Sequence, residues 1–336
     1  MSNKANMKFF ATLGPNFQTY DILLKANEMG ITGLRLNLSH GLLEERLDWI
    51  NNVKKANQIS KKPYGPLEIV LDIQGSEIRI RSNKTITKEK GSNIFIKTYS
   101  SDYCEDDILY VNENFIINTK VGDIIHIDDG KVEAVVENIE SNTLFAKLSE
   151  NSIIEPNKSI SIQNKYIAND TINPDDIKNI KLAKQLGIKN FMIPFVRSKK
   201  DIIILRELFT SLDFEDYRLY SKIEDQLGID NIDEIIDNSD VIVIARGDLG
   251  NNLGLLSIPR AQKYISKKCN DKNKQFMVVT QLLNSMIDST VPTRAEINDI
   301  YNSTLDGAQM LMITAETAVG KYPLKACYYL IEAANI

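Results

Sequence analysis

The feature that most limits what this chain can become is an alternation of short apolar runs with amphipathic stretches, repeated until eight strands have each been followed by a helix. Strands are expected at 8–13, 33–37, 67–72, 191–194, 218–223, 241–245, 276–280 and 310–313. The helices fall between them at 19–29, 42–57, 174–186, 199–211, 232–236, 258–269, 294–305 and 324–334. Apolar spacing of three and four residues marks the helices, and short β-branched runs mark the strands. Eight such units are the count of a closed α/β barrel, the (β/α)8 or TIM architecture. A doubly wound open sheet is the competing layout, but neither G-x-G-x-x-G nor G-x-x-x-x-G-K-[ST] occurs in the chain.

The rhythm breaks once. After the third strand, residues 76–167 are rich in strand and turn signals and contain no long helical pattern. Within them Ile124-Ile125-His126-Ile127 and Val132-Glu133-Ala134-Val135 flank Asp128-Asp129-Gly130-Lys131, a hairpin signal. We therefore expect a barrel formed by 1–75 and 168–336, with a small β-rich domain inserted at 76–167. The length of 336 residues accommodates about two domains.

Composition narrows the function classes. The net charge is −5, and no dense Lys/Arg block interleaved with aromatics is present, which argues against a nucleic-acid partner. No apolar run approaches the roughly 20 residues that span a bilayer, and the first residues lack a secretory core, so a cytoplasmic enzyme without membrane contact is expected. Cys104, Cys269 and Cys327 are widely spaced without a C-x-x-C pair, and His40 and His126 are the only histidines. Disulfides, a structural zinc site and a histidine triad are all disfavoured. Chemistry would rest on carboxylates, lysine and hydroxyls.

In a closed parallel barrel that chemistry sits at the C-terminal strand ends. Alternation puts Leu34, Leu36 and Leu38 on one face of the second strand and Arg35, Asn37 and Ser39 on the other. Lys222 and Glu224 share a face, Asp72 ends the third strand, Asp248 follows the sixth, and Thr280 ends the seventh. Any one of these could be a solvated or paired strand-end residue. Together, Arg35, Asp72, Lys222, Glu224 and Asp248 would crowd one partly desolvated bowl, where a metal or an anionic ligand compensates the charge. Glu224 and Asp248, from strands about 4.8 Å apart, are two hard oxygen ligands suited to Mg2+ or Mn2+ shared with substrate. Lys222 beside that ion could neutralise charge on a phosphoryl group or an enolate.

At these residues the chain resembles the pyruvate kinase family along nearly its whole length and in the right order. Ala11-Thr12-Leu13-Gly14-Pro15 is similar to the family's T-I-G-P, and Arg35-Leu36-Asn37-Leu38-Ser39-His40-Gly41 to its R-x-N-x-S-H-G. Leu71-Asp72-Ile73-Gln74-Gly75-Ser76-Glu77-Ile78-Arg79 resembles L-D-T-K-G-P-E-I-R, Ser221 to Glu224 matches S-K-I-E, and Ala245 to Gly250 matches A-R-G-D-L-G. Thr280-Gln281-Leu282-Leu283-Asn284-Ser285-Met286 resembles T-Q-M-L-E-S-M, and Pro292 to Glu296 reads P-T-R-A-E.

The resemblance implies transfer of a phosphoryl group from phosphoenolpyruvate to ADP, giving pyruvate and ATP. Glu224 and Asp248 would hold Mg2+ or Mn2+, and the amides of Gly247 and Asp248 would receive the substrate carboxylate. Lys222 would stabilise the phosphoryl group and the enolate, Thr280 would take part in protonating the enolate carbon, and Arg35 would contact phosphoryl oxygens. Arg79 would also touch substrate. Asn37, Ser39, Asp72 and the carbonyl of Ile73 would bind K+, Pro15 and His40 would lie near the nucleotide, and the insertion would be a lid. Family members that work without K+ are understood to carry a lysine at the position of Glu77, so K+ dependence is expected.

Departures from the family pattern qualify this. Gln74 and Ser76 replace Lys and Pro, Pro194-Phe195 replaces S-F, Thr314 opens the T-A-E-T-A-V-G segment where S-G-E-T-A-K-G is usual, and Asn251-Asn252 replace an aliphatic residue and Glu. Residues 43–45 lack the family's tyrosine. The chain ends at Ile336, where the family continues into a C-terminal domain. The expectation on that ground is a protein without that domain's sugar-phosphate effector site, and any homo-oligomer would lack its tetramer contact. Two other functions compete with the kinase. One is a paralogue using the same enolate site for another acceptor or for lyase or aldolase chemistry, and the other is a non-catalytic scaffold.

Overall fold

The computed structural model describes residues 7–60, 64–99, 105–128, 130–163, 165, 167 and 171–336, with the backbone but not the side chain of His40. The described residues form two compact units. The first comprises residues up to Gly75, Ile172–Gly250 and Leu256–Ile336; the second comprises Ser76–Thr171 and Asn251–Leu255.

The first unit opens with β1 (Lys8–Thr12), α1 (Tyr20–Met29), β2 (Ile31–Asn37), α2 (Leu47–Ile59) and β3 (Glu68–Asp72). The second holds β4 (Ile86–Lys88), β5 (Asn93–Thr98), β6 (Ile108–Val111), α3 (Glu113–Asn118), β7 (Ile124–Ile127), β8 (Val132–Glu140), β9 (Thr143–Leu148), β10 (Ser152–Ile154) and β11 (Ile160–Ile162). The first then resumes with α4 (Pro174–Leu186), β12 (Asn190–Ile193), α5 (Lys199–Ser211), β13 (Arg218–Ile223), α6 (Gln226–Asp230), α7 (Ile232–Asn238) and β14 (Val241–Ala245). It closes with α8 (Arg246–Leu253, of which the residues up to Gly250 belong to this unit), α9 (Ile258–Asp271), β15 (Phe276–Val279), α10 (Arg294–Leu305), β16 (Met310–Ile313), α11 (Ala315–Ala318) and α12 (Pro323–Ala334).

Eight strands close into a barrel in the order β1-β16-β15-β14-β13-β12-β3-β2, and every pairing is parallel. The α/β barrel expected from the alternation is the observed fold. Strands β12, β14, β15 and β16 are buried at every position, as strands covered on both faces must be. Phe10, Val70, Met192, Tyr220, Val241, Val243, Met277, Val279, Met310 and Met312 pack into one interior cluster. Gly33 on β2 is required by this packing, because a Cβ there would stand 2.0 Å from the Phe10 ring. With no side chain at 33, the Phe10 ring packs directly against the β2 backbone.

Local chemistry sets several helix starts. Asn173 accepts from the Asp176 amide at 2.8 Å while Asp176 accepts from the Asn173 amide at 3.3 Å, a reciprocal cap with Pro174 in the first turn. Thr293 and Glu296 form the same device at α10. Four short helices, α3, α6, α8 and α11, are absent from the expected pattern, and the expected helix at 42–57 is a 3-10 turn (Leu43–Arg46) followed by α2. Segments of four to eight residues are too short to show a helical period.

The second unit has a six-stranded sheet in the order β11-β7-β8-β9-β5-β6 and a two-stranded pair of β10 with β4. Strands β7 and β8 pair antiparallel, Ile127 opposite Val132, as the hairpin signal implied. Asp129 in its turn lies outside the described residues. Cys269 and Cys327 are free and buried; burial pushes the Cys269 thiol up to about 12, and Cys104 lies outside the described residues. Among the described residues no helix is long and apolar enough to cross a membrane.

Candidate active site

The barrel interior is apolar until its strands reach their C-terminal ends, where inward-facing positions turn polar. Val70 is followed two residues on by Asp72, Gly33 by Arg35 and Asn37, and Tyr220 by Lys222 and Glu224. Register places Asn37 of β2 directly beside Asp72 of β3. The result is a chain of buried charge. Arg35 donates to Asp72 Oδ2 through Nε at 2.8 Å and Nη2 at 2.7 Å. Lys222 Nζ lies 3.4 Å from Asp72 Oδ1 and 2.9 Å from Glu224 Oε1. The other Glu224 oxygen accepts the Phe195 amide at 2.6 Å, an approach that holds Phe195 at φ +48°.

Burial alone would drive the Lys222 ammonium toward neutrality, but Asp72, Glu224 and Asp248 outweigh it and hold its pKa well above the ordinary lysine value. Burial likewise favours a protonated Asp72, and Lys222 and Arg35 reverse that, leaving its carboxyl below the usual aspartate value. Three carboxylates, Asp72, Glu224 and Asp248, thus face two fixed cations, Arg35 and Lys222. The excess negative charge and hard oxygen donors fit a divalent cation. An ion held by Glu224 and Asp248 would take its other oxygen ligands from water and substrate. Asp72 Oδ1 is buried with the Lys222 ammonium 3.4 Å away, and Asn37 Oδ1 accepts from the Ser39 amide at 3.1 Å beside it. These oxygens suit a second, larger cation.

Asp248 does not sit on a strand. It lies in the first turn of α8, which starts directly after β14, so the amides of Gly247 and Asp248 belong to the turn whose N–H groups have no intrahelical acceptor. Thr280 follows β15, and it and Gln281 both have positive φ, +75° and +56°. For a β-branched residue that conformation is a strained one, costing about 1–3 kcal/mol. The Thr280 side chain lies against Gly247, where a Cβ would be 3.0 Å from Thr280 Cγ2.

A family model described as "Pyruvate kinase, barrel domain" matches residues 4–327. The chain belongs to the pyruvate kinase family. It is similar to a pyruvate kinase of Aeropyrum pernix, 29% identical over 98% of this chain and 70% of that protein. A pyruvate kinase of Schizosaccharomyces pombe is 32% identical over 97% of the chain and 65% of its own length. One of Bacillus licheniformis is 32% identical over 95% and 55%. The chain therefore spans between 55% and 70% of these curated pyruvate kinases.

Of the residues that the pyruvate kinase resemblance singled out, the structure joins Arg35, Asp72, Lys222 and Glu224 by direct contacts and sets Thr280 against Gly247. Asn37 and Ser39 share one turn at the end of β2, and Ile73, just past β3, donates its amide to the Met192 carbonyl at 3.2 Å. Pro15 is exposed in the turn after β1, a turn held by Asn16, whose side chain donates to the carbonyls of Val319 at 2.9 Å and Gly320 at 3.1 Å. Arg79 belongs to the second unit, where it pairs with Glu77 and donates to the Asn157 carbonyl. The His40 side chain lies outside the described residues.

Sequence reasoning missed two groups behind these. Asp176 is fully buried and accepts the amides of Gln74 and Gly75 at 2.9 Å each besides that of Asn173. Burial, opposed by those three bonds, raises its pKa to about 6. Gln74, the family's lysine position, sends its side chain to the Leu38 carbonyl at 2.9 Å, tying the end of β3 to the turn after β2. Arg246 is the second missed group; it is 7% exposed and reaches the Thr280 carbonyl. The only signals were an acidic residue three positions into a capping motif and an arginine inside A-R-G-D.

Proposed function

We propose that this protein transfers the phosphoryl group of phosphoenolpyruvate to ADP, using Mg2+ or Mn2+ together with K+. The P–O bond to the enol oxygen breaks, the phosphoryl joins a terminal oxygen of ADP, and the enolate takes a proton at carbon to become pyruvate. The observation that carries this reading is Lys222, a buried cation held charged between Asp72 and Glu224 at the barrel mouth. A fixed charge in a low-dielectric site stabilises developing negative charge without reorganisation. Lys222 would face the transferring phosphoryl group and the enolate oxygen, and Arg35 the phosphoryl oxygens.

Glu224 and Asp248 would hold the divalent ion, which supplies Lewis-acid neutralisation when bound. The amides of Gly247 and Asp248 would bind the substrate carboxylate, and the Thr280 hydroxyl would hold the proton path to the enolate carbon. Asn37, Ser39, Asp72 and the Ile73 carbonyl would bind K+. Pro15, His40 and Arg35 would meet the nucleotide, Arg79 would reach substrate from the inserted unit, and that unit would close as a lid to exclude water. A cytoplasmic location belongs to the same reading.

One observation favours a different phosphoryl acceptor, or lyase or aldolase chemistry, on the same machinery. Gln74 is neutral where the family carries lysine and is committed to the Leu38 carbonyl, while Ser76, Pro194 and Thr314 also depart from the family around the mouth. The test is pyruvate release from phosphoenolpyruvate with and without each nucleoside diphosphate, in Mg2+ and K+. Release that requires ADP supports the kinase. Release with no diphosphate, or none with any, refutes it.

A further inference from the structure

The Arg246 side chain is the most heavily engaged buried group that the proposed reaction does not use. It leaves the first residue of α8, next to Gly247, and turns behind the mouth to the end of the neighbouring strand, β15. Nε and Nη2 both donate to the Thr280 carbonyl, at 3.2 and 2.8 Å. Nη1 bonds Asp299 of α10 at 2.8 Å and Gln262 of α9 at 3.4 Å, and the same nitrogen is 2.7 Å from the other Asp299 oxygen. A planar guanidinium forked on one carbonyl and anchored from behind by a carboxylate fixes that carbonyl's direction, which a single donor would not.

The carbonyl so held belongs to Thr280, the residue with φ +75°, followed by Gln281 with φ +56°. Two consecutive left-handed residues, one of them β-branched, persist only where surrounding contacts enforce them. The far side of the turn is enforced as well: Glu316, 1% exposed, accepts the Leu283 amide at 3.1 Å and the Thr314 amide at 2.7 Å. Fixing the 280–281 peptide constrains the Thr280 Cα–Cβ bond, and Gly247, whose missing Cβ leaves the space that the threonine methyl occupies, fixes the rotamer, so that the two together set the place of the hydroxyl.

We propose that Arg246 is a positioning residue for proton transfer: it holds the Thr280 hydroxyl in register with the Gly247–Asp248 amides, so that a carboxylate bound at those amides presents its enolate carbon to Thr280. The inference rests on the pyruvate kinase reading and adds to it a residue that touches neither substrate nor metal. Glu316 and Asp299 are its supports.

The experiment measures deuterium incorporation from D2O into the methyl group of pyruvate by proton NMR, with Mg2+ and K+ present. Alongside it run kcat and KM for phosphoenolpyruvate and Mn2+ affinity. Arg246→Met and Thr280→Ala should each slow exchange by on the order of 10²-fold, the loss expected when an acid–base group is removed or displaced by about 1 Å. The double variant should be no slower than Thr280→Ala alone, since the arginine acts only through the threonine. Mn2+ affinity and KM should stay near wild type, and Arg246→Lys should recover part of the exchange rate.

Multiplying losses in the double variant, or an Arg246→Met defect that falls as heavily on Mn2+ affinity and KM as on exchange, would overturn the positioning role and leave the kinase reading standing. A wild-type protein that neither releases pyruvate from phosphoenolpyruvate nor exchanges its protons overturns both. Should Arg246→Met fold poorly, Asp299→Asn loosens the guanidinium from behind. Its exchange defect should be smaller and should vanish on the Thr280→Ala background, and a defect persisting there counts against the inference.

Discussion

Replacing Lys222 with methionine removes the cation between two carboxylates that are at most 3% exposed, Asp72 and Glu224. Breaking one side of a buried ion pair costs about 3–5 kcal/mol. Here the lower end applies, because Asp72 keeps the Arg35 fork and Glu224 keeps the Phe195 amide. For a chain of this size about 3 kcal/mol is about 4 °C in melting temperature.

The loss should depend on pH with a definite sign. In the wild type the Asp72 carboxyl titrates below its unfolded value of 3.8, so its contribution is present above about pH 4 and disappears as pH falls through the folded value. Without Lys222 only Arg35 opposes burial, so the folded carboxyl titrates higher than in the wild type and the variant loses less stability on acidification. The difference between the two proteins is therefore largest near pH 7 and shrinks toward pH 4. Thermal melts in chelator, repeated across that range, read it directly, and added Mg2+ should narrow the gap by neutralising the same carboxylates. Phosphoryl transfer should fall on the order of 10²-fold or more. A variant as stable as wild type at pH 7 without metal, or a gap that does not change with pH, would refute the charge arrangement.

Three other perturbations test separate parts of the account. Glu224→Gln and Asp248→Asn should each weaken Mn2+ binding in titration by on the order of tenfold or more, since affinity follows ligand charge; unchanged affinity in both removes them from the metal. Activity should require K+, so equal rates in K+ and in tetramethylammonium at matched ionic strength would eliminate the site at Asn37, Ser39 and Asp72. For Asp176, raised to about 6 in the folded protein against 3.8 unfolded, acidification from about pH 6 to pH 4 adds stability. Asp176→Asn cannot take up that proton, so the wild type should gain about 2 kcal/mol on the variant over that interval by urea unfolding. A constant difference would show that the carboxyl is not the titrating group.

The sequence was most legible where one period ran long enough to be counted. Helices α4, α5 and α10 and strands β13, β14 and β16 carry the expected boundaries, because capping residues and alternating burial are local signals. The mouth was legible for a related reason: Asp72 and Lys222 come two residues after Val70 and Tyr220 of the core, and Arg35 and Glu224 continue the same inward alternation on β2 and just past β13, a conflict that only a site resolves. Asp176 and Arg246 escaped notice because their roles are tertiary. An aspartate in a capping motif looks complete once it caps its helix, and nothing in one dimension says that the amides of Gln74 and Gly75 arrive as well. Likewise the positive φ of Thr280 has no sequence mark, since threonine is among the last residues expected there.

The central claim is that the barrel mouth moves a phosphoryl group from an enol oxygen to a nucleotide. Phosphorus NMR of the protein with phosphoenolpyruvate, ADP, Mg2+ and K+ observes that event itself. The account predicts loss of the phosphoenolpyruvate resonance matched by the growth of all three ATP resonances, dependent on Lys222. Phosphoenolpyruvate that persists unchanged, or that yields inorganic phosphate while ADP remains, would contradict it.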